Sequence, residues 1–338
     1  MAERGAVIDA FLAAEGWIAA ERRPLAGDAS FRRYERLQDA TRRAVLMDAP
    51  PPQENVAPFA RLARHLSSLG YSAPEILAEA QSDGLLLIED FGDATFAKLL
   101  DDGTEPEPLY GAAVDLLTDL HRRPAAETVP AGLAALDAER LVDEACLLTD
   151  WYMPALFDQP TPADVRAAFR TAWHEAISAM EGGGTTLVLM DFFAENLMWL
   201  AERNGLAACG LLDFQDALAG PAIYDLVSLL EDERRDLADD LAARLIERYR
   251  AAVGSRGDVD FAVSYAVLGA QRHTKNLGVF TRLCVRDGKP GYLDHVPRMW
   301  RWLERGLSES ALAPVAAWFD HHLPADRRVV PPCRDAAQ

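Results

Sequence analysis

Leu189-Met190-Asp191-Phe192-Phe193-Ala194-Glu195-Asn196-Leu197-Met198-Trp199-Leu200 is the stretch on which the reading of this chain turns. The apolar run from Thr185 delivers Asp191 at its end, and Asn196 follows five residues later at the head of a second apolar run. Asn204-Gly205 then signals a hairpin turn. A third run, Ala208 to Leu212, ends at Asp213 within Gly210-Leu211-Leu212-Asp213-Phe214-Gln215-Asp216. The result is a short β-like island, residues 185–213, in an otherwise helical region.

On either side of this island the chain differs. Residues 1–92 read as a small mixed lobe. A short helix is predicted over Ala6–Ala14, strands over Ser30–Leu37, Arg43–Asp48, Ile76–Ala80 and Leu85–Glu89, and a helix over Val56–Leu69 that stops at Gly70. Pro50-Pro51-Pro52 ends the second strand, because consecutive prolines cannot continue a ladder. Asp83-Gly84 signals the turn between the last two strands. Residues 93–323 are Ala- and Leu-rich, with helical spacing over 106–122, 137–150, 162–181, 221–231, 236–252, 258–276 and 291–306. Residues 324–338, rich in Pro and charge, are expected as a loose tail. The expected class is α+β, with a small β-rich N-lobe and a larger, mostly helical C-lobe.

Composition narrows the function. A chain of 338 residues, half hydrophobic and a quarter charged, is globular and suits two lobes. It carries 53 acidic against 34 basic residues, a net charge of −19. Phosphate backbones and anionic headgroups repel such a surface, so nucleic acid and membrane are not expected partners, and no obligate protein partner is evident. The first seventeen residues place acids within their apolar stretch, unlike a secretory signal, and no window approaches 18 uncharged apolar residues. The expected location is cytoplasmic. Cys146, Cys209, Cys284 and Cys333 are far apart, with no C-x-x-C pair, and are read as buried or incidental free thiols.

The chemistry lies in the island. Asp-x-x-x-x-Asn, a hairpin and a further Asp form the arrangement used for phosphoryl transfer to a hydroxyl. One carboxylate orients or accepts the proton of the attacking group. An amide oxygen and a second carboxylate hold Mg²⁺ against nucleotide phosphates. Taken singly, Asp191 reads equally well as a strand-end cap. The three residues in order, each beside an apolar strand and preceded by a β-rich lobe, form a far more specific signal.

Here the chain resembles the aminoglycoside phosphotransferase/choline kinase superfamily, whose fold is two-lobed and protein-kinase-like. Within it the likeness is to the bacterial anomeric kinases of N-acetylmuramate and N-acetylglucosamine. The carriers are GDASFRRY at 27–34, VLMDAPP at 45–51, LLLIEDFGD at 85–93, DFFAEN at 191–196, LLDFQDALAGPAIYDLVSLL at 211–230 and QRHTKNLGVFTRL at 271–283. The resemblance implies ATP and Mg²⁺ as cofactors, with Asp191 as catalytic carboxylate and Asn196 and Asp213 as metal ligands. It implies a phosphate-covering turn of Asp28, Ala29, Ser30, Phe31, Arg32 and Arg33, and an adenine-facing linker of Glu89, Asp90 and Phe91. Asp225 would brace the catalytic loop, and Asp216 would support the site or merely cap a helix start. The acceptor pocket falls to the helical lobe, where Gln271, Arg272, His273 and Lys275 share a predicted helix. Arg272 and Lys275, three apart, lie on one face of it, and that face would suit an acceptor bearing an anion. The implied reaction is transfer to the anomeric hydroxyl of N-acetylmuramate and/or N-acetylglucosamine, an amino-sugar step of cell-wall recycling. Two alternatives stand beside it: a same-fold kinase for an aminoglycoside, choline or another small alcohol, and a non-catalytic nucleotide-binding pseudokinase.

Two departures from the kinase pattern matter. Lys occurs only at 98, 275 and 289, so no lysine is available in the first lobe to grip phosphates; Met47 or a neighbour stands at that place. Arg32 and Arg33 are the candidate cations, and adjacent strand residues point to opposite faces, so one of them at most serves. The residues before Asp191, Leu189 and Met190, are apolar where many relatives carry a polar residue. The loop is therefore expected to be less well tethered by side chains.

Overall fold

The computed structural model of the protein describes residues 2–25, 31–180, 184–254 and 261–333. In chain order its elements are α1 (Ala2–Ala14), β1 (Glu21–Pro24), β2 (Arg33–Gln38), β3 (Arg43–Asp48), α2 (Ala57–Ser68), β4 (Ile76–Ala80), β5 (Leu85–Ile88), α3 (Phe96–Asp101), α4 (Pro106–Arg122), α5 (Ala125–Thr128), α6 (Ala138–Ala145), α7 (Met153–Phe157), α8 (Ala163–Ser178), β6 (Thr185–Val188), β7 (Leu197–Trp199), β8 (Cys209–Leu211), β9 (Leu218–Pro221), α9 (Ile223–Leu230), α10 (Asp239–Val253), α11 (Phe261–Asp287), α12 (Val296–Gly306) and α13 (Ala313–His322). They form two compact units, residues 1–116 with 194–216, and residues 117–193 with 217–338. The six residues from Asp191 to Asn196 thus carry the chain from the second unit back into the first.

The first unit is built on a five-stranded antiparallel sheet of order β1-β2-β3-β5-β4. Leu37, Ala44, Leu46, Leu85 and Leu87 form an apolar core with Ile8, Phe11 and Leu12 of α1 and with Trp17. β1, Glu-Arg-Arg-Pro, has no apolar signal; it forms because β2 offers it a ladder. The β7–β8 hairpin belongs to this unit. Thr95 bridges Met198, the Trp199 amide donates to the Ala94 carbonyl and the Leu211 amide to that of Ser72. Between β7 and β8 the turn is longer than a two-residue hairpin. Gly205 is left-handed (φ +59°) and opens a single 3₁₀ turn.

The second unit is helical around α11, which runs on to Asp287 rather than stopping near 276. Gly278 does not end it. A Cβ there would fall 2.2 Å from the Leu147 carbonyl carbon, so only glycine permits this close crossing. The chain answers at Leu148–Tyr152 with a π-helical turn. β6 pairs with β9 rather than with the hairpin. A core of Leu148, Tyr152, Phe169, Trp173, Trp300 and Phe319 fills the unit. Each such side chain contributes roughly 1.5–3 kcal/mol on burial, well above an exposed ion pair.

Two expectations are corrected in this unit. Cys284 and Cys333 form a disulfide, their Cα atoms 5.9 Å apart; Cys146 and Cys209 are free and buried. The stretch from 324 is fastened as far as Cys333. The Tyr152 hydroxyl donates to the Val329 carbonyl (2.6 Å), and Arg328 pairs with Asp320 and Glu304. Among the described residues, no helix is long and apolar enough to cross a membrane.

Candidate active site

In the first unit the hairpin sets out Asn196 and Asp213. The Leu212 amide donates to the Asn196 carbonyl (2.9 Å), joining the backbones beside the two residues. Asp213 is left-handed (φ +55°), a conformation that costs a non-glycine residue energy and clusters at functional sites. Its surroundings hold it there. The next ring, Phe214, is buried and stacks on Phe59 of α2 at 4.9 Å. The Gln215 amide donates to Asp213 (2.7 Å) and to the exposed Asp216 (3.1 Å).

Arg32 and Arg33 stand in different surroundings. Arg33 is exposed. Arg32 turns inward: Nε donates to Glu54 Oε2 (3.0 Å), and the guanidinium lies 3.8 Å from Asp213 Oδ1. Burial opposes its charge, but Tyr34, Glu54, Asp216 and Asp213 outweigh that and raise its pKa. Tyr34, two residues on from Arg32, faces Met47 across the β2–β3 ladder. Phe31 is exposed, with its amide on Glu54 Oε1. Asp28, Ala29 and Ser30 lie outside the described residues.

The side chains of the linker are tied down. Glu89 pairs with Arg203, whose guanidinium sits 5.2 Å over the Phe91 ring. Asp90 accepts from Arg36 (2.9 Å) and from the Gly92 amide. The Glu89 amide already donates to the Glu75 carbonyl. Gly210 keeps Phe91 close, since a Cβ there would come 3.1 Å from its ring.

In the second unit Asp191 follows a strained turn. Met190 is left-handed (φ +71°), and Asp225 of α9 takes the two preceding amides, Leu189 (2.6 Å) and Met190 (3.0 Å). The Ser228 hydroxyl donates to the Met190 carbonyl (3.3 Å). Leu189 and Met190 are apolar because they are buried; backbone bonds to Asp225 and Ser228 supply the tether their side chains lack. Asp225 is itself wholly buried. Burial, with the charge of Asp191 adding, pushes its pKa up to about 7 against the pull of the two amides.

α11 presents its polar residues to a dense set of partners. Gln271 donates to the Leu141 carbonyl (2.9 Å). Arg272 and Asn276 both bind Glu233. His273 lies between Glu231 (Nε2, 2.9 Å) and Glu233 (Nδ1, 3.3 Å). Burial disfavours charge on this imidazole, but the two carboxylates outweigh it and raise its pKa. Burial likewise pushes Glu233 up, and Arg272 with His273 overcomes this and holds it well below the carboxylate range. Gln271 and His273 are fully buried among these protein partners. Lys275 differs: its ammonium donates to Tyr224 (3.1 Å), lies 3.2 Å from Glu144, and keeps about a fifth of its side chain exposed. The charge of Asp191 reaches both Arg272 and Lys275.

A cavity of about 660 Å³ in the second unit, lined by Thr185, Thr186, Pro221, Tyr249 and Phe261, opens at the start of β6. Asp191 follows the other end of that strand, so this cavity is not its pocket. Glu54, Glu144, Tyr224 and Glu233 escaped the sequence reading, because acids in loops and on helix faces carry no spacing signal. Glu54 could have been sought as the anion that a buried Arg32 demands.

The profile of the phosphotransferase enzyme family matches residues 21–261. A relative from Caulobacter vibrioides, named N-acetylmuramate/N-acetylglucosamine kinase, is 35% identical over 96% of this chain and 98% of its own. A choline/ethanolamine kinase family protein from Mesorhizobium loti has a similar structure, with a TM-score of 0.60 at 17% identity over 93% of this chain and 98% of that one. An aminoglycoside phosphotransferase with ADP bound has a TM-score of 0.56 at 15% identity, over 88% and 97%. The chain belongs to the phosphotransferase enzyme family, and its fold is the protein-kinase-like fold of these enzymes.

Proposed function

We propose that this protein is an ATP- and Mg²⁺-dependent kinase that phosphorylates the anomeric hydroxyl of N-acetylmuramate and/or N-acetylglucosamine, a step in the recycling of cell-wall amino sugars. The observation that carries the reading is the coincidence of the braced, strained turn before Asp191 with likeness to an N-acetylmuramate/N-acetylglucosamine kinase along almost the whole chain. Asp191 orients the acceptor hydroxyl and takes up its proton as the new bond forms. Asp225 and Ser228 hold the backbone that aims it. Arg32 stands in for the absent lysine, steadied by Glu54 as a kinase lysine is by its glutamate.

The donor set fits a hard cation. Asn196 and Asp213 offer an amide and a carboxylate oxygen, and Mg²⁺ typically takes one or two such ligands beside phosphate oxygens and water. Among the described residues, no group of three or more His, Cys, Asp or Glu is placed to hold a metal by itself. Once bound, Mg²⁺ neutralises charge on the phosphoryl oxygens.

The test is a kinase assay with Mg-ATP over a panel of N-acetylated hexosamines, scoring sugar 1-phosphate. Asp191→Asn is expected to lower kcat by at least about a hundredfold with little change in KM. Absence of any sugar 1-phosphate from the wild-type protein refutes the reading.

A further inference from the structure

On the face of α11 toward Asp191, the charged groups fall into two sets. Arg272, His273 and Glu233 are sealed, with no more than 4% of any of these side chains exposed. Lys275 and Glu144 stay partly open, at 19% and 18%. Glu144 serves two cations at once: Lys275 at 3.2 Å and, four residues back on α6, Arg140 at 3.3 Å. Lys275 is anchored from the other side by the Tyr224 hydroxyl of α9, and the negative charge of Asp191 reaches it. These two side chains keep about a fifth of their surface exposed, although the Glu144 Oε2 that faces Lys275 is itself buried.

We infer that Glu144 is a specificity-determining residue: by neutralising Lys275 and Arg140, it sets how well the site accepts a sugar that bears its own carboxylate. The inference rests on the function proposed above. N-acetylmuramate and N-acetylglucosamine differ only by the lactyl ether on O3, which adds one carboxylate. An incoming carboxylate competes with Glu144 for Lys275 and meets the negative field of Glu144 and Asp191. A neutral sugar meets neither obstacle. The helix face that looks cationic in sequence is thus balanced in the fold, and Glu144 is the partly exposed member of that balance.

The experiment compares kcat/KM for the two sugars, at saturating Mg-ATP and low salt, in wild type, Glu144→Gln and Lys275→Met. Glu144→Gln is nearly isosteric and releases both cations. It should raise the N-acetylmuramate to N-acetylglucosamine ratio about three- to tenfold, the scale of a partly exposed charge contact. Raising ionic strength should shrink the shift. Lys275→Met should lower the ratio by a similar factor, because Glu144 then faces the acceptor carboxylate without its partner. If both variants change the two sugars equally, or shift the ratio the opposite way, Glu144 is a structural ion-pair partner and the inference is overturned. A wild-type protein that phosphorylates neither sugar overturns the proposed function and this inference with it, a distinguishable result.

Discussion

Two arginine–carboxylate clusters, one in each unit, use the same chemistry in opposite settings. Arg32 and Glu54 are mostly buried, with 12% of each side chain exposed, and only Asp213 is open, with a third of its side chain exposed. Arg272 with Glu233 and His273 is sealed. A cluster with one exposed member can exchange that member for another partner at small cost. A sealed network has lost its water and cannot give up a member without stranding a charge. The first can trade a partner where Asp213 is open, and the second holds a frame. The difference predicts which variants lose more stability and which lose mainly activity.

The largest effect is expected in the sealed network. Glu233→Gln or Arg272→Met should cost about 3–5 kcal/mol, measured by urea unfolding, because each leaves the partner buried and uncompensated. A loss of only about 1–2 kcal/mol would place that network with the partly open one. Next comes Asp225→Asn, expected to cost about 1–3 kcal/mol because an amide cannot accept from both Leu189 and Met190 as a carboxylate does. It also carries a pH signature. Burial raises the Asp225 pKa to about 7 in the fold, against about 4 in an unfolded chain. Between those values the native state holds a proton that the unfolded state has lost, so this group's contribution to stability falls as pH rises from about 4 to about 7. Unfolding midpoints at pH 5 and pH 7.5 should therefore diverge more in wild type than in Asp225→Asn. Arg32→Met should cost about 1–2 kcal/mol, because it leaves the mostly buried Glu54 without its cation, while raising the KM for ATP about tenfold. The smallest effect belongs to Arg33→Gln, under about twofold in that KM, because the side chain is exposed.

Much of this was legible in advance. The Asp191, Asn196 and Asp213 spacing, the β2–β3 hairpin, the helix before Gly70 and α4 follow from periodicity and turn chemistry that neighbours do not override. β9 was missed because Leu-Ala-Gly-Pro reads as a turn; it is a strand only because β6 pairs with it. α11 was expected to end at 276 but runs through Gly278 to Asp287. It continues because Leu147 and Leu148 need that glycine's bare backbone. The Cys284–Cys333 bridge has no spacing signature across 49 residues, and it accompanies a tail that Tyr152 and Arg328 also hold.

Residue order alone sufficed for the chemistry on offer: two carboxylates and an amide at kinase spacing, and a small lobe without a lysine. Local patterns carry that information, since a motif and a missing residue type can be read without knowing what lies opposite. Order could not say which arginine turns toward Asp213, which acids face α11, or whether the Arg272–Lys275 face is a free charge. Those answers depend on residues 22 to 131 positions apart meeting in space, Arg32 with Glu54 and Lys275 with Glu144 among them. Folding turned an apparent cationic face into a balanced one, because a buried charge persists only where a partner compensates its lost hydration.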